Sequence, residues 1–122
     1  MTEPSPTSAT YRVTVRGRFD GLGDAARAWL QQHRAEHDVF ASSFSAEGTL
    51  SYDDRLDFFN LRYEVRLAGD ATPERAVATA EAEATAFLRT LRLGHRGLHS
   101  DVMDLQAMTA RRKPRRDRGA GR

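Results

Sequence analysis

Arginine is the residue of this chain with the most chemistry to offer, and its placement is ordered. In Tyr11–Phe19, reading YRVTVRGRF, Tyr11, Val13, Val15, Gly17 and Phe19 share one parity, and Arg12, Thr14, Arg16 and Arg18 share the other. A period of two marks a strand buried on one side only. A second stretch repeats the pattern, with Phe59, Leu61, Tyr63, Val65 and Leu67 against Asn60, Arg62, Glu64 and Arg66. A guanidinium binds carboxylate or phosphate in a bidentate way, so five arginines on two such strands suit a platform for an anion. Arg12, Arg16, Arg62 and Arg66 are the expected binding groups, with Thr14 and Glu64 setting orientation. The alternative is a solvated face on which Glu47 and Glu64 neutralise part of the positive charge through cross-strand pairs.

The histidines offer less. His33-Arg34-Ala35-Glu36-His37 has the H-x-x-E-H spacing of inverted zinc proteases. Such a short pattern recurs by chance, and a partly buried His33 with a helix-terminal His37 explains it as well. His95 and His99 share the parity of Gly97 on an expected strand. No Ser-His-Asp spacing and no phosphate-cradling glycine loop is present, and Asp53, Asp54 and Asp57 lack the ligand spacing of a calcium loop. No metal, cofactor or catalytic residue is assigned.

The formal charge of +2 conceals a split. Arg111, Arg112, Lys113, Arg115, Arg116, Arg118 and Arg122 stand against Asp117 alone, so residues 111–122 carry +6 and residues 1–110 carry −4. The basicity therefore belongs to the tail. As a disordered arm, Arg111, Arg112, Lys113, Arg115 and Arg116 could make weak, salt-sensitive phosphate contacts with nucleic acid; the plainer reading is a solvated tail. Without cysteine, disulfides and thiolate metal sites are excluded. No secretory signal and no membrane-length apolar run is present, so the expected compartment is the cytoplasm.

The elements that must position these groups follow in order. Residues 1–10, with Pro4 and Pro6 among small polar residues, form a disordered lead-in. After the first strand, Asp20-Gly21-Leu22-Gly23 turns the chain into a helix starting near Gly23 or Asp24 and fraying near His37 or Asp38. Its inward stripe is Leu22, Ala26, Trp29, Leu30 and His33, with Trp29 as the main anchor. Phe44, Ala46, Gly48, Leu50 and Tyr52 then alternate with Ser45, Glu47, Thr49 and Ser51 as a second strand. Asp53-Asp54-Arg55 turns the chain into the third. Thr72-Pro73 reads as an N-cap and first helical residue of a helix to about Leu93, with Val77, Ala80, Ala84, Phe87, Leu88 and Leu91 inward and Gly94 as C-cap. Within His95–Leu105 the apolar residues keep no single parity, which predicts a strand with a bulge.

Strand, helix, strand, strand, helix, strand with right-handed crossovers gives an α+β ferredoxin-like domain over residues 11–108, with a basic disordered tail at 109–122. The first and third strands occupy the centre of a four-stranded antiparallel sheet, and both helices cover one face. The other face, with His99 or Asp101 added by the last strand, is open. An RNA-recognition module shares this topology but stacks bases on outward aromatic residues, and the outward positions here are read as holding none. Three functions are left. The leading one is binding of a small anionic ligand or a protein partner on the open face. A second is an enzyme or accessory protein acting on a small molecule, built as a homodimer closed sheet to sheet into an α+β barrel, with His99 and Glu64 as acid–base groups. Tail-driven nucleic-acid binding is the third.

The stretches YRVTVRGRFDGL at 11–22, AEHDV at 35–39, FSAEGTLSYD at 44–53 and RGL at 96–98 resemble a family of small proteins of high-GC bacteria catalogued as a domain of unknown function. The resemblance covers residues 11 to 112 and implies a recurring domain, with no activity, cofactor or catalytic residue attached.

Overall fold

The fold was analysed in a computed structural model, which describes residues 8–37 and 43–106. The order is β1 (Ser8–Phe19), α1 (Asp24–Gln32), a 3₁₀ turn (Arg34–His37), β2 (Thr49–Tyr52), β3 (Phe58–Ala68), α2 (Pro73–Thr90) and β4 (His95–Asp104). The sheet is antiparallel with strand order β2-β3-β1-β4, so β1 and β3 are central as the alternation requires. This is the ferredoxin-like α+β arrangement. None of the helices among the described residues is long and apolar enough to cross a membrane. Residues 1–7 of the expected lead-in and the whole expected tail at 109–122 lie outside the described residues.

The core lies between the sheet and the helices. Tyr11, Val13, Val15 and Phe19 of β1 meet Phe59, Leu61, Tyr63 and Val65 of β3, with Leu30 of α1 and Ala76, Ala80, Ala84 and Leu88 of α2 against them. Alanines at every fourth position of α2 let its backbone approach the sheet closely, while Val77, Phe87 and Leu91 flank that stripe half-buried. Burial pushes the Tyr63 phenol up to about 12.

Several local expectations are corrected. β1 starts at Ser8, because Ser8, Ala9 and Thr10 pair with Ala68, Leu67 and Arg66. Leu30, fully buried, is the anchor of α1; Trp29 is half-buried and stacks on His33 at 4.4 Å between centroids. The second strand is short. Gly48 has φ +93° and sits against the Tyr63 ring, Gly48 N–H donates to Ser45 Oγ at 3.1 Å, and regular pairing begins only at Thr49. The run from Phe44 to Gly48 therefore bends, and Phe44 leaves the core side.

Thr72 caps α2 as expected, its hydroxyl accepting from Arg75 N–H at 3.1 Å. The other end is not closed by Gly94. Arg92 takes the left-handed conformation (φ 58°), with Leu93 N–H donating to Leu88 O and Arg92 N–H to Arg89 O. These are the two bonds of a Schellman motif, sealed by buried Leu88 and Leu93. Gly94 serves a different need. A Cβ there would lie 2.0 Å from Asp20 O, where the two backbones cross to start β4.

Candidate functional site

The open face is a grid read from the register. Across β3, β1 and β4 its rungs are Phe58–Arg18–Arg96, Asn60–Arg16–His99, Arg62–Thr14–Asp101 and Glu64–Arg12–Met103, with Arg66 opposite Thr10 at the far end. On β2, Thr49 and Ser51 extend the Arg62 and Asn60 rungs. All six residues expected to bind, Arg12, Thr14, Arg16, Arg62, Glu64 and Arg66, lie on this face, but they do not form one site.

The middle of the face satisfies itself. Arg12 Nε stands 3.7 Å from Glu64 Oε1. Phe44, half-buried, lies beneath both Arg12 and Arg62, whose guanidinium carbons are 5.5 and 5.8 Å from its centroid, within the range of a cation–π contact. Thr14 is buried between Arg62 and Asp101. Arg16 Nε donates to Asp101 Oδ2 at 2.9 Å. Glu64 is thus engaged with Arg12, and Arg66 lies at the opposite end of the face, across from Thr10.

The Arg18 end differs. A bulge in β4 between the partners of Arg16 and Arg18, with Gly97 at φ +68°, inserts one extra residue. It reverses the parity expected from sequence. His95 turns to the core side, edge-on to Phe59 at 6.2 Å, whereas His99 reaches the open face and its Nδ1–H donates to Gly97 O at 3.1 Å. That bond leaves Nε2 of His99 as the outward nitrogen. The bulge also sets Arg96 directly opposite Arg18.

Phe58 is delivered by the β2–β3 turn. Asp53 Oδ1 accepts from the N–H groups of Asp57 and Phe58, both at 2.9 Å, and Leu56 takes φ 61° with its side chain buried. The chain therefore enters β3 with Phe59 inward and Phe58 outward, 55% exposed. The expectation of an open face without aromatic residues is overturned by Phe58 and Phe44. Arg18 lies 4.9 Å over the Phe58 ring.

Among the described residues neither Arg18 nor Arg96 meets a carboxylate. Like charges directly opposite on neighbouring strands repel. A groove of about 430 Å³ opens at this point, lined by Arg16, Gly17 and Arg18 of β1, Phe58, Phe59 and Asn60 of β3, and Gly97 and His99 of β4. Sequence reasoning had Arg18 in view on the correct parity. It missed Phe58, one residue ahead of the alternation, and Arg96, whose orientation depends on the bulge.

His99 and Glu64 do not converge. They flank β1 two rungs apart, which at about 3.3 Å per residue and about 4.8 Å per strand separates them by about 16 Å. Within one subunit they cannot share a reacting bond.

The H-x-x-E-H histidines build a different cluster. His33 Nδ1–H donates to Trp29 O at 2.9 Å, and Tyr52 O–H donates to Leu30 O at 2.5 Å. His37 Nδ1 is 3.0 Å from Tyr52 Oη and, with that proton committed, is the donor. Burial lowers the His37 pKa, with His33 adding to the shift and Glu36 opposing it, and burial pushes the Tyr52 phenol up to about 12. No group of three or more His, Asp or Glu side chains among the described residues is placed to hold a metal ion. The tail residues Arg111, Arg112, Lys113, Arg115 and Arg116 lie outside the described residues.

The chain matches the family of unknown function DUF6204 over residues 5–116. It belongs to that family. The match begins before Tyr11 and runs past Arg112, so Lys113, Arg115 and Arg116 fall inside the DUF6204 region rather than beyond it. No curated protein and no solved structure matches the chain.

Proposed function

We propose that this DUF6204 protein binds a small anionic ligand at the Arg18 end of its open sheet face. One observation carries the reading: Arg18 and Arg96 are register partners across β1 and β4 beside an open groove, and neither meets a carboxylate among the described residues. An acidic group placed there turns a repulsion into two charge-assisted contacts. Arg16 stands one rung away, already held by Asp101, and His99 offers Nε2 from the same wall. The self-paired Arg12, Arg62 and Glu64 cluster forms the border of the site rather than its centre.

The test is an amide and guanidinium NMR titration with acetate and inorganic phosphate at constant ionic strength. Saturable shifts are expected at Gly17, Gly97 and the Arg18 and Arg96 guanidinium groups, and R18A should abolish them. Shifts spread evenly over all surface arginines would sink the reading.

A second reading, a homodimer packed sheet to sheet, is favoured by the exposed Phe58 (55%) and Met103 (44%) on the same face. Such packing would cover the groove. Light scattering separates the two, because a monomer at high concentration removes the dimer.

A further inference from the structure

The groove is far larger than an inorganic anion needs, and its exposed wall is aromatic. At about 430 Å³ it falls within the range of sites for whole small molecules, roughly 300–1,000 Å³. Positive charge occupies only part of its lining. Phe58 presents an exposed ring, Gly17 and Gly97 carry no charge, and Asn60 supplies a neutral amide. Beyond Phe58 and Asn60 a second hollow of about 180 Å³, lined also by Tyr52 and Asp53, continues along the sheet end. Phe58 thus stands as a partition between the two.

Phe58 is a large exposed aromatic residue that the turn into β3 aims at the groove, so its ring is part of a concave lining rather than an isolated apolar spot on the surface. Asp53 spends its carboxylate on the N–H groups of Asp57 and Phe58, fixing the backbone that aims the ring. The Arg18 guanidinium over that ring then sits at the boundary between apolar and charged walls.

We infer that the ligand is an aromatic organic anion, with a flat apolar body against Phe58 and an acidic head, carboxylate or phosphate monoester, between Arg18 and Arg96. The inference rests on the anion-binding reading above and adds the chemical class. A flat ring meets Phe58 in offset or edge contact, the arrangement aromatic pairs favour. The head meets two guanidinium groups that no other carboxylate occupies among the described residues. Asp53 is among the residues lining the second hollow, so an uncharged end remote from the head suits that side of the ligand.

Five probes decide the matter, titrated by NMR or calorimetry at constant ionic strength: 2-naphthoate, 2-naphthyl phosphate, acetate, inorganic phosphate and the neutral 2-naphthamide. At least one naphthyl anion is expected to bind about tenfold or more tighter than the matching small anion, and whichever head prevails identifies the acid class. F58A should erase that preference while leaving acetate or phosphate binding in place, and R18A should weaken every anion. Phe58 and Arg18 are exposed, so both variants keep the fold, checked by the dispersion of the amide spectrum. Equal binding of small and naphthyl anions would overturn the aromatic class and leave the anion site standing. Naphthamide binding as tightly as naphthoate would overturn the role of the arginines. No response to any probe would overturn both readings.

Discussion

Gly48 offers the sharpest check on how the open face is shaped. It lies at φ +93°, and a Cβ built there would stand 2.3 Å from Cε1 and 2.6 Å from Cζ of the Tyr63 ring. Two costs follow from Gly48→Ala. Backbone strain at positive φ in a residue with a Cβ is worth about 1–2 kcal/mol. Forcing a methyl into a packed aromatic ring adds about 1–3 kcal/mol. The ring cannot swing aside, because Tyr63 is 2% exposed in the middle of the core. The expected loss is therefore about 2–5 kcal/mol, a large part of the roughly 5–15 kcal/mol that holds a domain folded. Gly69→Ala is the matched control: its φ is +72° and nothing among the described residues lies within 4 Å of the added Cβ, so strain alone applies, about 1–2 kcal/mol. Urea unfolding of both variants, alone and combined with Tyr63→Leu, separates the terms. With Tyr63→Leu the Gly48→Ala penalty should fall toward that of Gly69→Ala. A Gly48→Ala penalty equal to the control in the wild-type background would refute the close packing that ends β2 at Thr49.

Three further outcomes follow from groups already placed. Arg92→Gly should raise stability by about 0.5–1 kcal/mol in denaturant unfolding, since a left-handed residue with a Cβ closes α2 at φ 58°. Ser51 is fully buried and its Oγ has no hydrogen-bond partner among the described residues; Ser51→Ala should be neutral or stabilising by up to about 1 kcal/mol, read as a higher thermal midpoint. His37, its pKa lowered by burial, binds its proton more weakly folded than unfolded, so stability is full above pH about 6.5 and falls as pH drops below it; His37→Asn should flatten that slope in unfolding curves taken between pH 7.5 and 5.

The fold was legible because burial imposes period two on the central strands. Val13 and Val15 on one parity, with Leu61 and Tyr63 answering them, exclude every pairing offset by one residue, and the observed register buries all four. Thr72-Pro73 was equally plain, since an N-cap followed by proline acts through local chemistry alone. Readings failed where a single backbone conformation shifted parity. Positive φ at Gly48 takes Phe44 out of the core alternation, and the bulge with positive φ at Gly97 puts His95 and His99, which share one parity in the sequence, on opposite faces. Neither conformation is encoded by hydrophobic pattern.

The site was legible in kind but not in place. Eight residues of the open face on the two central strands were named from parity alone, including Arg12, Arg16 and Arg62, and the register puts them there. Which arginines are engaged is a matter of distance. Glu64 takes Arg12, Asp101 takes Arg16, and Phe44 lies under Arg12 and Arg62, whereas Arg18 and Arg96 are left facing each other. The Asp53 hydrogen bonds that turn Phe58 outward depend on a loop of five residues, where no periodicity operates.

The most direct measurement of the central claim follows the guanidinium Nε–Hε resonances of the arginines while 2-naphthoate is added at constant ionic strength. Saturable shifts at Arg18 and Arg96, with the Gly17 and Gly97 amides moving in step and Arg12 and Arg62 unmoved, are the predicted result. Shifts centred on Arg12 and Arg62, or no saturable shift at Arg18, would contradict it.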